Sequence, residues 1–117
     1  MIKYLFLLLL AFNVDASERF YNYLFCKHGK TEVVLKDRTR VDCLTKQHAI
    51  EVDWANKWPE AIGQSLHYAK STGKKAGVVL LFKKPGDLRY WKRMNDIIWY
   101  YSLPINTWRV NAYTDRR

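Results

Sequence analysis

Asp42 and Glu51, with eight residues between them, are the side chains whose types and spacing could do chemistry together. Arg40 to Thr45 and His48 to Ala55 both read as strands, with Lys46-Gln47 as the turn between them. An even-length loop centred on that turn places Thr45 opposite His48. The same register carries Asp42 to a position directly opposite Glu51, on one face of the sheet. Two carboxylates so placed repel each other unless a cation lies between them. Mg2+ suits such a place, because it takes carboxylate, carbonyl and water oxygens, usually with one or two carboxylates. There it would polarise a phosphate and acidify a water, which is the chemistry of phosphodiester hydrolysis. The competing reading makes both acids solvated surface charges, paired with Arg40 and Lys46.

The elements that must position this pair follow from the surrounding pattern. A helix is expected from Ser17 to about Lys27, with Phe20, Tyr23, Leu24 and Lys27 on one stripe and Gly29 as its stop. Thr31 to Lys36 reads as a strand and Asp37-Arg38-Thr39 as a turn. After the two central strands, Asn56 is expected to cap a helix near Lys57 to Ser71, with Pro59 in its first turn and Gly73 ending it. Gly77 to Phe82 is a continuous apolar run, the signature of a strand covered on both faces. Pro85-Gly86 turns the chain, and Asp87 is expected to cap a helix to about Tyr101 that sends Leu88, Trp91, Met94, Ile98 and Tyr101 to the core. Pro104 opens a last strand, Ile105 to Val110. The fold class is therefore α/β, a mixed sheet flanked by helices in the order α-β-β-β-α-β-α-β.

Bulk properties bound the partner. The chain has 117 residues, with 20 Lys and Arg against 11 Asp and Glu, for a net charge of +9. That excess fits a polyanion such as nucleic acid, or an anionic envelope surface. Lys36, Arg38, Lys46, Lys74 and Lys75 lie in turns and strand ends, where they could grip a phosphate backbone without reading sequence. Tyr4 to Phe12 is uncharged and follows Lys3, and Val14-Asp15-Ala16 fits a signal-peptidase site. Residues 1–16 are thus expected to be a signal peptide and 17–117 a single domain, periplasmic or secreted. No stable membrane span would remain after cleavage. Cys26 and Cys43 could form a disulfide in that setting or remain two buried thiols. His28, His48 and His67 are scattered and no CxxC occurs, which argues against a zinc site.

Asp42-x8-Glu51-x-Asp53 on adjacent strands, followed by a helix carrying Gln64-Ser65-Leu66-His67-Tyr68, resembles the PD-(D/E)xK nuclease superfamily. The Gln-x-x-x-Tyr element is similar to that of its RecB-type and Holliday-junction-resolvase-like branches. The α-β-β-β-α-β order from Ser17 to Phe82 matches the superfamily's restriction-endonuclease-like core, with the last helix and strand as an addition. The resemblance implies a Mg2+- or Mn2+-dependent nuclease acting on nucleic acid, DNA in the first instance, and a homodimer as a compatible assembly.

The resemblance also implies site roles. Asp42 and Glu51 would hold the metal with the backbone carbonyl of Val52. Gln64 and Tyr68 would hold substrate or orient the carboxylates, with Arg40 as a further substrate contact. Glu18 would match an extra acid that some branches place on the first helix. The chain departs from the pattern at Asp53, where the superfamily carries its catalytic Lys. Lys57, at the start of the next helix, is the substitute. Asp53 would then be a third metal ligand or pair with Arg40. Two other classes compete: a nuclease-fold nucleic-acid-binding module without catalysis, and a basic protein that binds envelope surfaces.

Overall fold

The run Val78-Val79-Leu80-Leu81-Phe82 has no polar face to offer water, and the sheet buries it on both sides. In the computed structural model, which describes residues 16–115 and side chains from 18 to 113, this run belongs to β4 (Lys75–Phe82). The leader expected at 1–16 lies outside the described residues, apart from Ala16. The other strands are β1 (Lys30–Val34), β2 (Arg40–Leu44), β3 (His48–Trp54) and β5 (Ile105–Asn111). They form one five-stranded sheet in the order β1-β2-β3-β4-β5. The first three run antiparallel to one another, and β3, β4 and β5 run parallel. Three helices, α1 (Ala16–Phe25), α2 (Trp58–Thr72) and α3 (Leu88–Tyr100), complete a mixed α/β fold.

Alternation along β3 and β4 divides the core into two layers. Ile50, Val52, Trp54, Val79 and Leu81 face α1, where Tyr21 and Phe25 pack on them. Val78, Leu80 and Phe82 face the other way, against Ala61, Ile62 and Leu66 of α2 and Met94, Trp91 and Ile98 of α3. Each fully buried aliphatic side chain contributes about 1.5–3 kcal/mol, so this central pair of strands is the rigid frame of the molecule. Among the described residues no helix is long and apolar enough to cross a membrane.

The rotation of α1 differs from expectation. Phe20, Tyr23 and Leu24 are exposed, while Asn22 and Cys26 are buried. Two tethers set this rotation. Cys26 is disulfide-bonded to Cys43 of β2, and Asn22 Nδ2 donates to the Asp42 carbonyl at 2.8 Å. A disulfide closing a loop of this size contributes about 3 kcal/mol, enough to override a weak apolar stripe. Gly29 sits beside the bridge, where a Cβ would meet the Leu44 carbonyl oxygen at 2.8 Å and Cys26 Sγ at 3.0 Å. Its role is room for the disulfide.

The helix ends also show how local signals were redirected. Gly73 ends α2 in the left-handed region, φ 72°, and donates to the Ala69 carbonyl. Asn56 lies instead in a 3-10 turn, Ala55–Lys57, and no side chain caps α2. Asp87 precedes α3 but turns back, with Oδ2 accepting the Lys83 N–H at 2.7 Å. It ties the β4 exit loop together and leaves the helix uncapped.

Candidate active-site cleft

β2 and β3 pair at Leu44↔Ala49 and Cys43↔Ile50, in the register that the Lys46-Gln47 turn implies. One step further, where Asp42 would face Glu51, the ladder stops. Asp42 Oδ2 accepts the Val52 N–H at 2.8 Å, a donor that a continued antiparallel ladder would have given to the Val41 carbonyl. A side chain thus replaces main chain at that point, and the two strands part around it. The Val52 side chain itself is fully buried in the core beneath.

The neighbouring strand is distorted at the same level. Glu32 has φ 55° in the middle of β1, between the pairs Thr31↔Cys43 and Val33↔Val41. A non-glycine residue there costs on the order of 1–3 kcal/mol. The turn in the backbone separates the faces on either side of it. Cys43 packs with Ile50 and Val52, whereas Val41 packs with Ala49 and Tyr68 on the α2 side. It also presents Glu32 to Arg40, with Nε to Oε2 at 3.0 Å.

The parted strands open a cleft of about 380 Å³ lined by Glu18, Glu32, Thr39, Arg40, Asp42, Glu51, Gln64 and Tyr68. Four of these are acids and one is a cation, in a chain whose net charge is +9. Burial raises Glu51 far above the ordinary carboxylate range, and the charges of Asp42, Asp53 and Glu18 add to the effect. Asp42 is also raised, by burial first, with its bonds to Val52 and Glu51 opposing. Glu51 therefore keeps its proton at neutral pH and shares it with Asp42. Its Oε2 is buried without a hydrogen-bond partner, as is Asn22 Oδ1 on the other side of Asp42. Such orphaned acceptors cost free energy unless something supplies positive charge. Burial likewise raises the Tyr68 hydroxyl, helped by the charges of Glu51 and Asp42.

Asp42, Glu51, Arg40, Gln64, Tyr68 and Glu18 thus share one cleft. Asp53 and Lys57 stand apart from it. Asp53 is buried near the end of β3, raised to about 6 by burial, and its Oδ1 accepts the Trp54 N–H at 3.0 Å. Lys57 is exposed, and its charge opposes that rise. Asp53 does not pair with Arg40, because Glu32 has taken the guanidinium. Nor are Asp42 and Glu51 solvated charges paired with Arg40 and Lys46, since Glu51 is buried and the Arg40 ion pair goes to Glu32.

Glu32 and Thr39 are cleft residues that the sequence reading did not name. The register of the β1–β2 hairpin would have found Glu32, because it falls opposite Asp42. Thr39 belongs to an Asp-x-Thr turn, in which Asp37 Oδ1 accepts both its N–H and its hydroxyl. His67 Nε2 closes the group at 2.6 Å from Asp37 Oδ2.

Fold and cleft together define an α/β domain with a five-stranded mixed sheet and a carboxyl pair, Glu51 buried and Asp42 half-buried. No protein-family model, curated protein or solved structure matches the chain.

A hard cation would meet oxygen donors in the cleft. The lining offers carboxyl and amide oxygens, burial raises both Asp42 and Glu51, and Glu51 Oε2 lacks a donor. Among the described residues there is no gathered group of three or more His, Cys, Asp and Glu side chains. Mg2+ asks for only one or two carboxylates, so the residues fit it.

Proposed function

We propose that this protein is an exported metal-dependent nuclease that hydrolyses phosphodiester bonds in DNA, with the restriction-endonuclease-like core that its PD-(D/E)xK resemblance implies. The observation that carries the reading is the parting of β2 from β3 around Asp42, which leaves Glu51 Oε2 buried and unpartnered in an acid-lined cleft. A phosphate would be repelled by the ionised acids that line the cleft, so a cation would accompany it. Asp42, Glu51 and the Val52 carbonyl would hold Mg2+ or Mn2+, which supplies Lewis acidity toward the phosphate and toward water. Arg40 and Gln64 contact the substrate backbone at the cleft mouth. Tyr68, with its hydroxyl held protonated, orients the carboxyl groups. The Cys26–Cys43 bridge supports export, because disulfides persist in oxidising compartments.

A second reading has one observation in its favour. Lys57, the substitute for the Lys that Asp53 displaces, does not line the cleft. A nuclease-fold protein that binds nucleic acid without cutting it would need no such Lys. Plasmid and single-stranded DNA, incubated with Mg2+, Mn2+ or chelator, separate the two. The nuclease cuts only with metal and loses about 10³-fold in rate on Glu51→Ala. Cutting that survives Glu51→Ala refutes the site, and binding without cutting selects the second reading. Loss of cutting in Lys57→Ala, with binding retained, would bring Lys57 into the chemistry.

A further inference from the structure

The strongest surface signal outside the cleft lies on the unit that follows β4, namely α3 and β5. Five cations fall between positions 83 and 93: Lys83, Lys84, Arg89, Lys92 and Arg93. The acid among them, Asp87, is buried and committed to the Lys83 N–H. The ion pairs found among the described residues, Arg40–Glu32 and His67–Asp37, lie elsewhere. Three of these cations, Lys83, Arg89 and Arg93, rest on rings, Arg93 at 5.8 Å from the Tyr90 ring centre. The Arg89 guanidinium lies 4.7 Å from the Tyr90 ring centre and donates to its hydroxyl at 2.8 Å. Arg109 of β5 lies 5.7 Å from Phe82 and 5.8 Å from Trp91, and Lys83 lies 4.6 Å from Trp54. Stacking of this kind fixes a guanidinium flat and leaves its edge donors free for phosphate oxygens.

The pattern does not serve the helix. A helix start favours acids, yet the first turn of α3 has none and carries Arg89. The far end is equally costly in isolation. Trp99 is 81% exposed, Tyr100 73% and Tyr101 64%, beside a groove of about 870 Å³ bordered by Asn95, Ser102 and Leu103. Helical spacing sets Arg93 in line with Tyr100 and Lys92 in line with Trp99, two turns apart. One outer face of α3 therefore carries cations at one end and bare rings at the other, with the exposed Asp96 between them.

We infer that this face of α3 is a docking platform for single-stranded nucleic acid, its phosphates gripped by Arg89 and Arg93 and its bases stacked on Trp99 and Tyr100. Both halves are needed for that occupant: cations alone suit any polyanion, whereas exposed flat rings suit unpaired bases. A duplex would leave the rings unused. An anionic membrane also takes Trp and Tyr at its interface, so binding to vesicles is the competing outcome of the test. The inference rests on the proposed function and assigns its substrate class. It moves the grip from the turn residues Lys36, Arg38, Lys46, Lys74 and Lys75 to the added helix.

The test is equilibrium binding of the full chain to a fluorescent 20-nucleotide oligo(dT), to the matching duplex and to phosphatidylserine vesicles, all in chelator. Arg89→Gln/Arg93→Gln should weaken oligo(dT) binding at least tenfold and reduce the salt slope by about 1.4, since each phosphate contact on a single strand contributes about 0.7. Trp99→Ala/Tyr100→Ala should weaken it by roughly 5- to 150-fold per lost base contact and leave the salt slope intact. All four positions are exposed, and far-UV circular dichroism with thermal melting checks that the variants fold. Wild-type affinity in either double variant, duplex preferred over single strand, or binding to vesicles alone overturns the platform. Cutting that requires Glu51 while both double variants bind normally overturns it and leaves the nuclease standing. Affinity that requires both pairs upholds the platform, even where no cutting accompanies it.

Discussion

Two groups of acids five residues apart in the chain are treated in opposite ways. Asp37 is exposed, and each of its oxygens has a donor: Thr39 through N–H and hydroxyl on one, His67 on the other. Those Thr39 bonds first, and His67 after them, hold its carboxyl down to about 2. Asp42 and Glu51 are taken out of water, set against each other and given few donors, so both rise. The exposed group is at rest and fastens the β1–β2 turn to α2, with His67 against the Tyr68 ring at 5.8 Å. The buried group is held in an unfavourable state by the frame around it. An acid that fold stability alone had placed would look like Asp37. The difference is what the proposed metal site would account for.

The comparison breaks most clearly at Glu51. Glu51→Gln keeps the shape of the side chain and removes the carboxyl whose ionisation the site resists. The metal-free variant should be more stable than the parent by about 1–3 kcal/mol, a rise of several degrees in Tm. Mg2+ or Mn2+ should raise the Tm of the parent and leave that of the variant unchanged, because only the parent recovers free energy by binding. Differential scanning calorimetry at pH 7.5, with and without metal, reads both effects. A destabilised Glu51→Gln that still responds to metal would mean that Glu51 is an ordinary structural acid.

A smaller effect with a definite sign sharpens the contrast. Asp53, raised to about 6, binds its proton more tightly when folded than when unfolded. Stability therefore falls as pH rises from about 4 through 6, and its full penalty is present above that range. Asp37 has the opposite sign. Its folded value of about 2 lies below the unfolded one, so its contribution is present above about pH 4 and lost as pH falls through 2. Urea unfolding across pH 3–8 should show Asp53→Asn flattening the limb between 4 and 6. A limb unchanged by Asp53→Asn would remove Asp53 from the buried set.

Much of this frame was legible in the residues themselves. The Lys46-Gln47 turn fixed the hairpin register, and the run from Val78 to Phe82 announced a central strand because it has no polar face. Gln64 and Tyr68 reached the cleft because one helical turn separates them. Other features depend on contacts between distant segments. The rotation of α1 is set by a disulfide and by Asn22 reaching Asp42, neither of which leaves a periodic trace. The pairing of Arg40 with Glu32 needs a left-handed residue inside a strand, which no propensity favours. Lys57 sits beyond a 3-10 turn that shifts the start of α2, so its place relative to the cleft could not be counted along the chain.

The smallest expected effect is the control that gives the comparison its meaning. Asp37→Asn removes a charge of the same type, five residues from Asp42, at an exposed group. Exposed pairs are screened and contribute little, so Tm should fall by no more than about a degree or two near neutral pH. Metal response and cutting should be those of the parent, because Asp37 orders the rim and does not line the cleft. Loss of metal response in this variant would show that the rim and the floor act as one unit, joined through Thr39 and the His67–Tyr68 stack. Equal loss in Asp37→Asn and Glu51→Gln would erase the distinction between an acid at rest and an acid held ready for a cation.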